Sequence, residues 1–547
     1  MNDKHKTLYL AVADTATKYP GNVALTFMGA KVDYKTMIGD IGAVAGWFRS
    51  AGIEEGDAVT LCMPNIPQCV ICFYALSRIG AIAHMVHPLA PETRLREYMT
   101  EVKSKMLVIP DFSAEKYPAL IAEYPTLVCS PAQYLGFIRK SVYAIRTMPT
   151  QGAIKKFPTV MLYSQALKSG EPKIAAFRDA EAPAVYLHSG GTGGHPKTIV
   201  LSSRAINSLT DQSFDILGIK EFHGGSMLAV LPMFHGFGLA MGIHAMMCYG
   251  GTDALMPKFH TADTIKLIEQ DKINYLIGVP VLYKALLARE EFSGDKLKNL
   301  RVAFVGGDYV PKSLLQEFNE RMIKYGSEAR LYEGYGLTET VTVCSVNTTR
   351  AHRDGSVGKA VGGVKIAAFD GENMLNAGQE GELCVSGDVL MTGYLGDEEA
   401  TKAAFFEFGG EKFVRSGDVG SVDSDGFVFF RSRIKRIAKV NGVTVFPSEI
   451  EKLVMDEIPE VKEACAAAKS DVRTGDVIVL FVTTEKRLAE EDKRKLSEKI
   501  TAFITERLSA YSAPEKVYYV SEFPKTLVGK VDVNKLKEIY LGSDVTE

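Results

Sequence analysis

The sequence predicts an α/β protein: a large N-terminal domain of packed sheets and helices, then a small α+β C-terminal module. Three observations carry this. At 547 residues the chain is long enough for more than one domain. Short apolar runs such as RVAFVG (301–306) alternate with helical patterns such as TADTIKLIEQ (261–270), as layered α/β folds require. After RSRIK (431–435) the pattern restarts: VKEACAAAK (461–469) and VIVLFVTT (477–484) read as strands, and EDKRKLSEKITAFITERL (491–508) as an amphipathic helix.

Composition narrows the class. The chain is 46% hydrophobic, enough for a sizeable core. Sixty-three Lys and Arg against 66 Asp and Glu leave a formal charge of −3, which does not favour nucleic acid. The opening MNDKHKTLYLAVADTATKYP has no secretory pattern, so the cytoplasm is the expected compartment. Two apolar stretches stand out. Residues 69–86 are broken by Arg78, and 232–251 carry His235, His244 and five glycines, so both read as buried helices rather than membrane spans. Cys69 and Cys72 form a C-x-x-C without a second pair, which reads as core packing.

The densest signal is YLHSGGTGGHPK (186–197). PAVYLH (183–188) reads as a buried strand, and Ser189, Gly190, Gly191, Thr192, Gly193, Gly194 and Lys197 follow it. Backbone N–H groups of such a glycine run can converge on phosphate oxygens, with hydroxyls and an ammonium adding donors. A Walker loop requires glycine directly before its lysine. Pro196 stands there and has no N–H to donate, which argues against a P-loop kinase.

SGGTGGHPK resembles the signature loop of the adenylate-forming superfamily, and further matches follow in that family's order. They are PMFHGFG (232–238), YEGYGLTET (332–340), GELCVSGDVLMTGYLGDEEAT (381–401), RSGDVG (415–420), RIKRIAKVNGVTVFPSEIE (433–451) and PKTLVGKVDVNKL (524–536). The likeness runs along nearly the whole chain and is strongest to bacterial medium- and long-chain fatty acyl-CoA synthetases that form AMP. It implies an N-terminal domain over 1–434 and a mobile C-terminal domain over 435–547, hinged at Lys435. Three positions depart from the usual motifs: Gly193 replaces a threonine, Thr198 a glycine, and Ser416 the threonine of TGD.

The resemblance also implies the chemistry. A carboxylate attacks the α-phosphate of ATP, pyrophosphate leaves, and the thiol of CoA then displaces AMP. Residues 189–197 would hold the β- and γ-phosphates. Thr338 would bond the α-phosphate, and Glu339 would ligate Mg²⁺. Tyr335 would stack on adenine, with Gly336, Gly306, Gly307 and Asp308 around the adenosine. Asp418 would accept from the ribose hydroxyls, and Arg433 would reinforce those contacts. Lys530 is the implied catalytic lysine, and Gly442 the glycine that approaches the CoA pantetheine.

His235 bears on the substrate. Amino-acid-activating relatives usually carry an acid after the phenylalanine of this segment, to pair with the ammonium. Here Phe234 is followed by His235, and burying an unpaired ammonium would be costly. The expected substrate is therefore a non-amino acid, first a medium- or long-chain fatty acid, in a pocket suited by the Met, Phe and Gly of 231–251. An aryl or sterol-like acid, or a carrier-protein thiol in place of CoA, are the alternatives. A non-catalytic binding protein would require a lost key residue, and none is missing. Acyl-chain length and oligomeric state are left open. Finally, 135–160 carry Arg139, Lys140, Arg146, Lys155 and Lys156 among apolar residues. A solvated surface helix is the ordinary reading, and weak peripheral membrane contact or an acidic partner the other. This segment resembles an insertion of the bacterial long-chain synthetases.

Overall fold

The computed structural model describes residues 3–154, 156–189, 196–217, 224–471, 475–526 and 531–542. Among them the strands form four sheets. A nine-stranded sheet runs from the edge strand Lys359–Ala360 through Leu331–Gly336, Val302–Val305, Tyr275–Gly278 and Ser226–Ala229 to the hairpin at Val23–Asp33. An eight-stranded sheet contains Thr198–Ser202, Pro183–His188, Ile82–Met85, Ala58–Leu61 and Met106–Pro110 side by side. Both are largely parallel, as expected where helices separate successive strands. A six-stranded, wholly antiparallel sheet follows, built on the long strand Glu411–Val422.

The C-terminal module is an α+β unit with its own core. Val461–Asp471 and Gly475–Thr484 pair antiparallel over ten residue pairs. The helix Glu490–Arg507 buries Leu496, Ile500 and Ile504, four residues apart, against this sheet. The hairpin Ala438–Val445 turns at Asn441 (φ +51°) and Gly442 (φ +78°). Two consecutive residues with positive φ suit an Asn-Gly two-residue turn.

The apolar run 69–86 is only partly helical. The helix Pro67–Ile79 is buried on every side, but Gly80 (φ +77°) ends it, and Ile82–Met85 becomes a central strand. The expectation of a helix throughout is corrected there: the left-handed glycine stops one element and IAHM finds two strand partners. In 232–251, Phe237–His244 is π-helical and runs into the α-helix Ala245–Tyr249. A π-turn widens the helix beside the cavity described below, a placement such turns favour. All eight cysteines are buried and reduced.

One buried ionisable group stands out in the nine-stranded sheet. Asp253 is fully enclosed, neither carboxyl oxygen has a hydrogen-bond partner, and burial holds its carboxyl well above the ordinary carboxylate range. The folded carboxyl is therefore protonated where the unfolded one is charged. Its contribution is most favourable below the unfolded value of about 3.9 and declines as pH rises toward the folded value. Asp253→Asn removes that penalty. Its melting temperature is expected to exceed the wild type's at pH 7–8, with the gap closing toward pH 4. Equal melting curves at every pH would contradict the assignment.

Candidate active site

Ser189 and Lys197 sit at the two ends of the glycine loop. The Ser189 N–H donates to the Lys197 carbonyl at 2.9 Å, and the Lys197 N–H donates to Ser189 Oγ at 3.0 Å. These bonds close the loop's base. Gly190, Gly191, Thr192, Gly193 and Gly194 lie outside the described residues, as does Lys530.

Beneath the base runs a ladder of side chains across five adjacent strands or their ends. Thr198 Oγ1 lies 3.2 Å from His188 Nδ1, and His188 Nε2 lies 2.8 Å from His84 Nε2. His84 Nδ1 lies 2.9 Å from Thr60 Oγ1, which donates to Ser104 Oγ at 2.7 Å. Ser104 in turn donates to the Met106 carbonyl at 3.0 Å. The terminal carbonyl can only accept, so Ser104 donates to it, Thr60 donates to Ser104, and His84 donates through Nδ1–H to Thr60. Burial holds His188 down at about 4 and His84 well below the usual histidine range, so both rings are neutral. His84 Nε2 then accepts from His188 Nε2–H, and His188 Nδ1 accepts from Thr198. Thr198, which departs from the usual motif, is the residue that ties the loop's far end into this ladder.

From Lys197 a second row leads to Glu339. The Lys197 ammonium lies 4.4 Å from the centre of the Tyr394 ring, and the Tyr394 hydroxyl donates to Glu339 Oε1 at 3.0 Å. Met391 N–H donates to the Glu339 carbonyl at 2.8 Å. The lysine of the glycine loop and the expected metal carboxylate are thus joined through a tyrosine that the motif reading passed over. A single carboxylate linked in this way to the lysine at the loop's base is a donor of the kind Mg²⁺ takes, with few protein ligands and retained water.

Glu339 is aimed by a strained turn. Thr338–Thr340 forms one 3₁₀ turn, and Val341 follows at φ +65°, ψ −61°. The Thr342 N–H donates to the Thr340 carbonyl at 2.7 Å, which makes a γ-turn of the rare form around a β-branched residue. Such a conformation costs of order 1–3 kcal/mol and persists where its surroundings dictate it. Here two motif glycines do so. A Cβ on Gly336 would stand 1.4 Å from the Thr342 carbonyl oxygen, and one on Gly236 would stand 1.7 Å from that of Val341. Backbone from YGLTET and FHGFG is thus pressed onto the turn from both sides.

A third group surrounds Asp418, whose side chain is 1% exposed. The Tyr335 hydroxyl donates to Asp418 Oδ2 at 2.6 Å, and Arg433 Nε lies 3.4 Å from Oδ1. Burial, with the carboxylate beside it, pushes the Tyr335 hydroxyl well above the ordinary tyrosine range. Asp418 and Arg433 are register partners on adjacent strands. Ser416 donates to the Leu383 carbonyl at 2.5 Å and accepts the Asp418 N–H at 3.0 Å. Serine thus supplies the hydroxyl that threonine gives in TGD. Glu382 of the GE segment accepts the Gly417 N–H at 3.0 Å and pairs with Arg415 at 3.1 Å, fixing the same turn.

A cavity of about 110 Å³ opens beside Tyr335. Gly306, Gly307, Tyr335 and Gly336 form its motif-bearing rim, and Phe237, Met241, Ile277 and Phe304 are among its apolar walls. Asp308 does not line it. Asp308 is exposed, its Oδ1 accepts the Tyr309 N–H, and it lies within the field of Arg436 and Glu451 of the C-terminal module. His235 is not a lining residue either. Its carbonyl accepts the Leu239 N–H, and its ring packs 4.6 Å from that of Phe234. Gly442 is not among these residues; it sits on its exposed hairpin with nothing within 4 Å of where a Cβ would stand. Its positive φ, rather than crowding, accounts for the glycine in this conformation.

Two contacts across the domains escaped the motif reading. The Tyr309 hydroxyl donates to Asp456 at 2.8 Å, and burial pushes the Glu333 carboxyl up to about 7 against the opposing Lys452 ammonium.

The chain is similar to known proteins along most of its length. A family model described as AMP-binding enzyme matches residues 12–395, and one described as AMP-binding enzyme C-terminal domain matches 449–530. A long-chain-fatty-acid–CoA ligase of Bacillus subtilis is 26% identical, covering 98% of this chain and 94% of its own. ATP-bound MatB from Rhodopseudomonas palustris superposes with a TM-score of 0.81 at 22% identity, covering 99% of each chain. The o-succinylbenzoate CoA synthetase of Bacillus subtilis, in complex with ATP and magnesium, gives 0.76 at 21%, covering 96% of this chain and 99% of its own.

Proposed function

The chain belongs to the AMP-binding enzyme family and is a ligase of its AMP-forming CoA class, and from that premise we propose that it activates an apolar, non-amino monocarboxylic acid, first a medium- or long-chain fatty acid, to its CoA thioester. The observation that carries the substrate class is the cavity. Among the described residues that line it there is no Asp, Glu, Lys, Arg or His. An α-ammonium would find no carboxylate there, and a second carboxylate would find no cation. Either would be desolvated without a partner, at a cost of several kcal/mol. An aryl acid is the second reading, favoured by the Phe237, Phe304 and Tyr335 rings in the same wall.

The chemistry follows from the charges that move. In the first step the acid's carboxylate oxygen bonds to the α-phosphorus of ATP, and the bond to the pyrophosphate oxygen breaks. Negative charge grows on the leaving group, so donors aimed there matter most. Ser189 and Lys197 hold the β- and γ-phosphates, with Tyr394 steadying the lysine. Glu339 would hold Mg²⁺, which would supply positive charge to offset the growing negative charge. Thr338 bonds the α-phosphate, Asp418 accepts from the ribose, and Arg433 supports it. Lys530 contacts the carboxylate and α-phosphate together. In the second step the CoA sulfur attacks the acyl carbon, the thiol proton is lost, and AMP leaves with one oxygen of the original carboxylate. The C-terminal domain, 435–547, turns about Lys435 between the steps and brings Gly442 to the pantetheine. Lys435 is exposed in the short turn Ile434–Arg436 between the two domains' sheets, which supports a hinge there.

A panel of acids, assayed for pyrophosphate release with ATP and Mg²⁺ and for thioester when CoA is added, tests the reading. Saturated C8–C16 acids are expected to exceed malonate and free amino acids at least tenfold in kcat/KM, a gap of roughly 1.4 kcal/mol that one unpaired buried charge readily supplies. A dicarboxylate or amino acid as best substrate would overturn it.

A further inference from the structure

The helix Phe137–Ile154 has two opposed faces. On one, the Tyr143 hydroxyl donates to Asp111 Oδ1 at 2.5 Å, and Thr147 and Ile154 are buried. On the other, Phe137, Ile138, Val142 and Ile145 are 85%, 78%, 61% and 71% exposed. At 3.6 residues per turn these four share an arc of about 140°, centred opposite Tyr143 and Thr147. The helix is thus fastened along one side and presents large apolar side chains along the other. Single exposed apolar residues are ordinary on a protein surface, but four on one helical arc make a contact surface.

Charge says what that surface meets. Residues 135–160 hold five Lys and Arg and no Asp or Glu, in a chain whose formal charge is −3. Lys140 and Lys156 are exposed. The Arg139 guanidinium reaches the Met28 carbonyl on a neighbouring hairpin, where Met28 is itself 52% exposed. We propose that this face docks on an anionic phospholipid surface. Cations flanking an apolar arc place ammonium and guanidinium groups among lipid phosphates while the apolar side chains enter the acyl boundary. A second copy seated on the same face would bring the same cations opposite one another, which disfavours self-association. No helix among the described residues is long and apolar enough to cross a membrane, so the mode is surface attachment. The inference does not rest on the acyl-chain assignment.

Co-sedimentation with large vesicles tests it. The wild-type protein is expected to pellet with phosphatidylglycerol–phosphatidylcholine vesicles at low salt, about tenfold more weakly with phosphatidylcholine alone, and more weakly again at 0.5 M salt. The triple variant Phe137→Ser/Ile138→Ser/Ile145→Ser should lose at least about tenfold in partitioning to anionic vesicles, since three apolar side chains no longer enter the interface. It should keep its melting temperature and its ligation of a water-soluble acid. Lys140→Glu should weaken binding in proportion to anionic lipid content. Wild-type protein that stays in the supernatant with anionic vesicles, or a triple variant that pellets equally, overturns the proposal. So does a wild-type dimer in light scattering that becomes monomeric in the triple variant, since the face would then be an interface between copies.

Discussion

Lys530→Ala is expected to lower acyl-adenylate formation roughly 10²–10³-fold, the loss typical of removing one donor aimed at transition-state charge. The ammonium would lie where carboxylate and α-phosphate, both anionic, must be brought together. Without it their repulsion is unopposed and the pentavalent phosphorus loses a counter-charge. The second half-reaction needs no such bridge. Thioester formation from supplied acyl-adenylate should therefore fall far less. Single-turnover acyl-AMP formation and CoA-dependent consumption of synthetic acyl-AMP, measured separately, give the two numbers. Equal losses in both would remove Lys530 from the adenylation step.

Gly336→Ala should be as damaging without touching any charged group. Its Cβ would stand 1.4 Å from the Thr342 carbonyl oxygen, so the strand end and the turn at 338–342 must separate. Glu339 moves with that turn, away from Tyr394 and Lys197. A misplacement of about 1 Å can cost about 10²-fold in rate. The expected result is at least that loss in adenylation, with the far-ultraviolet spectrum retained and a lowered melting temperature from the forced repacking. Full activity would mean the γ-turn at Val341 is not what positions Glu339.

Much of this was legible in the chain because it depends on local pattern. PAVYLH forms the strand before the glycine loop, and the C-terminal strands and the 490–507 helix fall where the periodicity changes. What was not legible depends on segments that meet only in three dimensions. Thr60, His84 and Ser104 lie far along the chain from His188 and Thr198, which flank the glycine loop, and alternation along one strand does not say which side chain faces it on the next. His188 did carry a signal: a polar ring at the end of an apolar strand, directly before the loop. Val341 carried none, since β-branched residues disfavour positive φ and only the backbones of Gly236 and Gly336 explain it. Asp308 reads as part of VGGD, yet the chain turns after Gly307 and carries it out of the cavity toward the C-terminal module.

The central claim is that the acid's own carboxylate oxygen attacks the α-phosphorus and departs in AMP. Acid labelled with ¹⁸O in both carboxyl oxygens, turned over with ATP, Mg²⁺ and CoA, tests it directly by mass spectrometry of the products. The account predicts one ¹⁸O in each AMP, none in pyrophosphate, and one in the thioester carbonyl. Unlabelled AMP, or ADP with the label in inorganic phosphate, would contradict it.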